Sequence, residues 1–122
     1  KVLADKCSYL GALDLTQTEL DAEKATCYYS YSTSAYYAKN LTYCDNITDP
    51  MYLGECYAWA AIALTNASVC NLTRMEEYTA KGLLEPLSSR DMCFNTFIVN
   101  TPGSKYLCDN IKNEVVKAQC KQ

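Results

Sequence analysis

The sequence predicts an all-α fold, with disulfide-braced helical hairpins stacked in one small domain. Three observations predict it. The 122 residues include eight Cys, an even number dense enough for a disulfide framework, and no two form a C-x-x-C pair. The motif Cys44-Asp45-Asn46-Ile47, with Cys56 twelve residues after Cys44, recurs as Cys108-Asp109-Asn110-Ile111 with Cys120 twelve after Cys108. No segment sustains period-two alternation between hairpin turns, so strands have little support. The length suits a single domain over residues 1–122, with internal repeats at approximately 27–56, 56–93 and 93–120.

Taken in order, Thr18 to Ala38 reads as a helix opened by Thr18-Glu19-Leu20-Asp21 as a capping box. Residues 49–65 form the clearest helix. Asp49 is the N-cap, Pro50 suits the first turn, and Met51, Cys56, Trp59, Ala60 and Ala63 make a broad apolar face. On that face Trp59 is a core residue, and Asn66 is expected as the left-handed C-cap. Leu72 to Leu84 reads as a third helix ending near Pro86. Ser88 to Val99 is a fourth, stopped by Pro102-Gly103, and Ile111 to Cys120 is a short fifth.

The repeat divides the cysteines into two alternating classes. Cys7, Cys44, Cys70 and Cys108 sit in polar connectors, and Cys27, Cys56, Cys93 and Cys120 sit in helical segments. Asn40-Leu41-Thr42-Tyr43-Cys44 matches Asn66-Ala67-Ser68-Val69-Cys70, and Cys70-Asn71-Leu72 opens a degenerate copy of the motif. Short helices bury too little to hold one another, so such a stack needs cross-links. Pairing each connector Cys with the next helix gives Cys7–Cys27, Cys44–Cys56, Cys70–Cys93 and Cys108–Cys120, and accounts for the twelve-residue interval. The rival scheme joins each helix to the connector after it, as Cys27–Cys44, Cys56–Cys70 and Cys93–Cys108, with Cys7–Cys120 closing the chain. Spacing prefers the first without deducing it.

This pattern resembles the Cys-rich helical repeats of archaeal extracellular and surface proteins. The resemblance covers roughly residues 27–120 and rests on Cys44-Asp45-Asn46-Ile47, Cys56-Tyr57-Ala58 and Cys108-Asp109-Asn110-Ile111. It implies architecture and an extracellular location, and carries no defined activity.

Four N-x-[ST] acceptors, at Asn40, Asn46, Asn66 and Asn71, fall within residues 40–73 and point to a glycan-bearing surface. The chain opens at Lys1 without an apolar leader, as expected of a mature secreted product. The longest apolar run, Tyr57 to Leu64, is too short to span a bilayer. Lys1 to Leu20 carries Asp5, Lys6, Asp14 and Glu19, unlike the long apolar N-terminal helix of a type IV pilin. With 11 Lys+Arg against 14 Asp+Glu there is no basic excess for nucleic acid.

Catalysis has little to work with. The chain has no His, and with every Cys expected to be oxidised the usual nucleophile–base pairs are missing. Glu76-Glu77, Asp45 with Asp49, and Asp21 with Glu23 lack the apolar setting of a catalytic carboxylate pair and read as solvated faces. Asp45, Asn46, Thr48 and Asp49 could offer oxygens to Ca²⁺, but their spacing is not an EF-hand and they read more simply as caps and turns. No metal and no cofactor is expected. The most distinctive composition is Tyr28, Tyr29, Tyr31, Tyr36 and Tyr37, too many rings for one core, which suggests an interaction surface. The sequence therefore suggests a non-enzymatic extracellular structural glycoprotein, a self-assembling surface or filament subunit whose partners are copies of itself. The alternative is a soluble secreted module that binds protein or carbohydrate.

Overall fold

The computed structural model describes residues 7–73, 77–78 and 86–122. Among the described residues the regular structure is helical apart from one two-residue antiparallel ladder. The α-helices are α1 (Gln17–Ala38), α2 (Pro50–Leu64), α3 (Ser89–Val99) and α4 (Glu114–Cys120). Each follows a 3-10 connector: η1 (Ser8–Ala12), η2 (Leu41–Cys44), η3 (Ala67–Leu72) and η4 (Lys105–Asn110).

Every α-helix opens on a side chain that accepts a backbone N–H. Thr16 begins α1, Asp49 α2, Ser88 α3 and Asn113 α4. At α1 this corrects the expected register. The capping box is Thr16 with Glu19, because Glu19 sits three residues after Thr16 and its carboxylate reaches back to the Thr16 N–H at 2.9 Å. At the far end of α2 the left-handed residue is Thr65 (φ 53°), not Asn66, whose side chain is used to cap η3.

The segment expected as a helix over Leu72 to Leu84 is not one among its described residues. Leu72 closes η3, and Glu77–Tyr78 (β1) pairs with Leu87–Ser88 (β2). Ser88 must be extended to cap α3, and that extended backbone offers β1 its partner. Residues 74–76 and 79–85, Glu76 among them, lie outside the described residues.

Helices α1, α2 and α3 share a direction. Tyr28 stacks on Tyr52, and about two turns further on Tyr36 meets Trp59, so both helices advance together and α1 runs parallel to α2. Ser89, at the start of α3, donates to the Pro50 carbonyl at the start of α2 (2.7 Å). Asp91, in the first turn of α3, accepts from Lys112 and Asn113 at the start of α4. The connectors carry the chain back between helices. The stacked unit is therefore a 3-10 connector folded against the α-helix it introduces.

Helix α2 is the middle layer, packed on α1 on one side and α3 on the other. Leu53, Cys56 and Ala60 join Tyr28, Ala35, Cys44 and Ile47 in one core, while Ala58 and Ala61 join Phe94, Phe97, Ile98, Ile111 and Val116 in a second. The two repeat isoleucines, Ile47 and Ile111, are each completely buried beside their disulfides. Gly54 lets α3 approach. A Cβ there would lie 2.3 Å from the Ser89 carbonyl oxygen.

The disulfides are Cys7–Cys27, Cys44–Cys56, Cys70–Cys93 and Cys108–Cys120, the connector-to-next-helix scheme, and no cysteine among the described residues is free. Each closes a loop of roughly 12–23 residues, which in the chain-entropy view stabilises by about 3 kcal/mol.

Candidate functional site, an aromatic groove between α1 and α2

Helix α1 is 22 residues long, yet only Tyr28, Ser32 and Ala35 along it are buried. It forms one side of the stack, and among the described residues α2 is the one α-helix packed against it, with η1 and η2 at its ends. The five tyrosines divide accordingly. Tyr28 is buried at 2% exposure and stacks on Tyr52 with ring centroids 4.5 Å apart, so it belongs to the core. Tyr31 is half-buried beside it. Tyr29, Tyr36 and Tyr37 remain exposed, at 71%, 36% and 79%. The expected five-residue surface is thus narrowed to three residues, because residues 28, 32 and 35 follow helical spacing toward α2.

A groove of about 320 Å³ lies between α1 and α2, lined by Tyr29, Ser32, Thr33, Tyr36, Tyr37 and Trp59. A second cavity of about 280 Å³ shares Tyr29, Ser32 and Trp59 and extends past Met51, Tyr52 and Glu55. Three rings run in a row: Tyr37 meets Tyr36 edge-on at 5.1 Å, and Tyr36 meets Trp59 edge-on at 5.9 Å. Such edge-to-face pairs hold one another in place. Trp59, expected in the core, is half-buried and forms part of the groove wall. A helix packed on two sides has no single apolar face, so sequence spacing alone does not place Trp59.

Glu55 is the one carboxylate in this lining, and no cation joins it. Burial pushes its carboxyl above the ordinary glutamate range. The Tyr52 hydroxyl is also raised, first by burial and then by the negative charges of Asp49, Glu55 and Asp21. The groove therefore suits an uncharged, amphipathic occupant.

The asparagines of the four N-x-[ST] motifs lie in or beside the connectors η2 and η3. Asn40 Oδ1 accepts from the Thr42 N–H (3.0 Å) and the Thr42 hydroxyl (2.8 Å). Asn66 Oδ1 accepts from the Ser68 N–H (3.1 Å) and hydroxyl (2.6 Å) in the same way. Both follow the C-terminus of a parallel helix, so both lie at one end of the stack. Asn71 is exposed, and its Oδ1 accepts from Arg90 Nε at 2.9 Å. Asn46 is half-buried next to Ile47.

The two carboxylates considered for calcium are engaged in the fold. Asp49 accepts from the Met51 and Tyr52 N–H groups, and Asp45 from the Tyr57 hydroxyl. Asp21 accepts from the Gln17 side chain. Among the described residues no three acidic or sulfur side chains gather as a metal site, and no helix is long and apolar enough to cross a membrane. One group with a structural role was not singled out from sequence. Asp91 is 2% exposed, and its two oxygens accept from the Lys112 N–H at 2.8 Å and the Asn113 N–H at 3.1 Å. No protein family, curated protein or solved structure matches the chain.

Proposed function

We propose that this chain is a non-enzymatic extracellular structural glycoprotein that assembles with copies of itself into a surface layer or filament. Four intramolecular disulfides fit a chain folded under oxidising conditions, and the four acceptor asparagines fit a glycosylated surface. The observation that carries the reading is the aromatic row on the outermost helix. The terminal unit of a stacked-repeat protein ordinarily presents a polar cap to water. Here α1 presents Tyr29, Tyr36 and Tyr37 beside Trp59. Rings of this kind anchor protein interfaces because they bury large area with little loss of side-chain freedom. A face used against a different face of the next copy gives an open chain of subunits.

Electron microscopy of native material, with sedimentation of the oxidised, glycosylated chain, tests this. Polymers that Tyr29→Ala disperses are expected. Material that stays monomeric at high concentration, with no polymer in micrographs, overturns the reading. The groove's volume of about 320 Å³ and its uncharged lining favour one other reading, a secreted module that binds an oligosaccharide or a foreign protein. A monomeric chain that takes such a ligand in titration would support it.

A further inference from the structure

The end of α1 places an N-x-[ST] asparagine, Asn40, three residues after Tyr37, the most exposed ring of the groove. Lys39 adopts a left-handed conformation (φ 52°), and the Asn40 N–H returns to the Ala35 carbonyl at 3.1 Å. This turn folds Asn40 back over the last helical turn, which carries Tyr36 and Tyr37. The two bonds from Thr42 hold the Asn40 carboxamide oxygen, and Nδ2 is the atom to which an N-glycan attaches. Tyr37 meets Tyr36 edge-on and is 79% exposed, so it keeps an open ring face.

An internal control exists one unit further on. Thr65 is left-handed (φ 53°), the Asn66 N–H returns to the Ala61 carbonyl at 3.0 Å, and Ser68 holds the Asn66 oxygen. The backbone repeats, but the preceding turn carries Ile62 and Ala63 where α1 carries Tyr36 and Tyr37. Asn40 and Asn66 therefore differ in whether aromatic residues stand three and four positions before them.

We infer that the first sugar of the N-glycan on Asn40 packs against the open face of Tyr37 and becomes part of the folded structure, while the glycan on Asn66 stays in solvent. One face of a pyranose ring presents C–H groups, and covering an aromatic ring with it removes apolar surface from water on both sides. The covalent link makes the contact intramolecular, so a weak contact is well populated. The sugar takes Tyr37 out of the docking face proposed above and leaves it Tyr36, Trp59 and Tyr29, the last eight residues or about 12 Å back along α1. The inference rests on the reading of the chain as glycosylated.

The test uses chain secreted from a glycosylating host, with site occupancy read by mass spectrometry. Asn40→Asp and Asn66→Asp remove the glycan but keep the capping oxygen. Asn40→Asp is expected to lower Tm by about 2–6 °C relative to Asn66→Asp. Tyr37→Ala, which removes only an exposed ring, is expected to abolish that difference. Equal shifts at the two sites, or a difference that survives Tyr37→Ala, overturn the packing while leaving glycosylation standing. An unoccupied Asn40 overturns both together.

Discussion

The hydroxyl of Tyr57 donates to Oδ1 of Asp45 at 3.1 Å, joining the residue after one half of a disulfide to the residue after the other half. The same pair of positions is tied in the last unit, where Lys121 forms an ion pair with Asp109 beside Cys108–Cys120. In the Cys70–Cys93 unit Arg90 mediates the link, bonding Asn71 and lying over the Phe94 ring at 5.4 Å. The repeat thus pairs side chains as well as cysteines.

Tyr57→Phe and Asp45→Ala are each expected to cost about 0.5–1.5 kcal/mol. The double variant should lose little more than the larger single loss, because both remove one bond. Additive losses in denaturant titrations would refute the coupling. At Asp109–Lys121 both side chains are more than half exposed, so Lys121→Ala should change stability by less than about 1 kcal/mol.

Gly54 sits where a Cβ would meet the Ser89 carbonyl oxygen at 2.3 Å and the Met92 Cβ at 2.9 Å. Gly54→Ala must push α2 and α3 apart, for a loss of about 1–3 kcal/mol despite the better helix propensity of Ala. A thermal melt at or above that of the native chain would contradict the close approach.

Asp91→Ala leaves the Lys112 and Asn113 N–H groups without their acceptor at the start of α4, one of them buried. The expected cost is about 2–4 kcal/mol, with faster hydrogen exchange concentrated in α4. Asp91→Asn keeps one acceptor oxygen and should retain part of the stability. Equal stability of the native and Ala forms would remove Asp91 from this role.

Glu55 has its carboxyl pKa raised by burial, so the folded chain holds that proton more tightly than the unfolded chain. Its contribution is present below the unfolded carboxyl pKa and is lost as pH rises through the raised value. Glu55→Gln should therefore raise Tm near neutral pH and leave it unchanged at about pH 3. A pH-independent effect, or none at neutral pH, would count against it. Glu19 and Asp109 act in the opposite sense. The Thr16 N–H and hydroxyl hold Glu19 low, and the bond from Lys121 holds Asp109 low, so what they contribute is lost as pH falls.

Thr16→Ala should cost about 1 kcal/mol by removing the cap of α1. Thr18→Ala, in the first turn of the exposed helix, should change stability by less than about 0.5 kcal/mol. Helicity by circular dichroism separates the two, and a larger loss at Thr18 would restore the other register.

What could be read from sequence followed from strictly local chemistry. Asp49-Pro50 marked the start of α2 because an acceptor side chain followed by a residue without N–H fits one place in a helix. The identical twelve-residue intervals favoured the disulfides because a connector folded onto its own helix needs a fixed length. Thr16 and Thr18 each begin a run of the form T-x-x-acid, and only the Glu19 side chain is long enough to close the box. Trp59 was misplaced because α2 is covered by α1 and α3, and the gap between helices that exposes Trp59 is a tertiary fact. Asp91 was silent for the same reason: its two donors lie 21 and 22 residues away. The groove itself depends on α1 and α2 running parallel, and no residue pattern within either helix states that.

The common starting end of the helices gives the molecule an electrical direction. A helix carries about half a positive charge at its N-terminus and half a negative charge at its C-terminus. Here α1, α2 and α3 point the same way, and the last turns of α2 and α3 contain no basic residue to offset their negative ends, while α1 has only the capping Lys39. Two copies meeting end to end bring unlike poles together, whereas copies lying side by side in the same sense bring like poles together. Field alone therefore favours a lengthwise line of subunits, or neighbours that point in opposite directions.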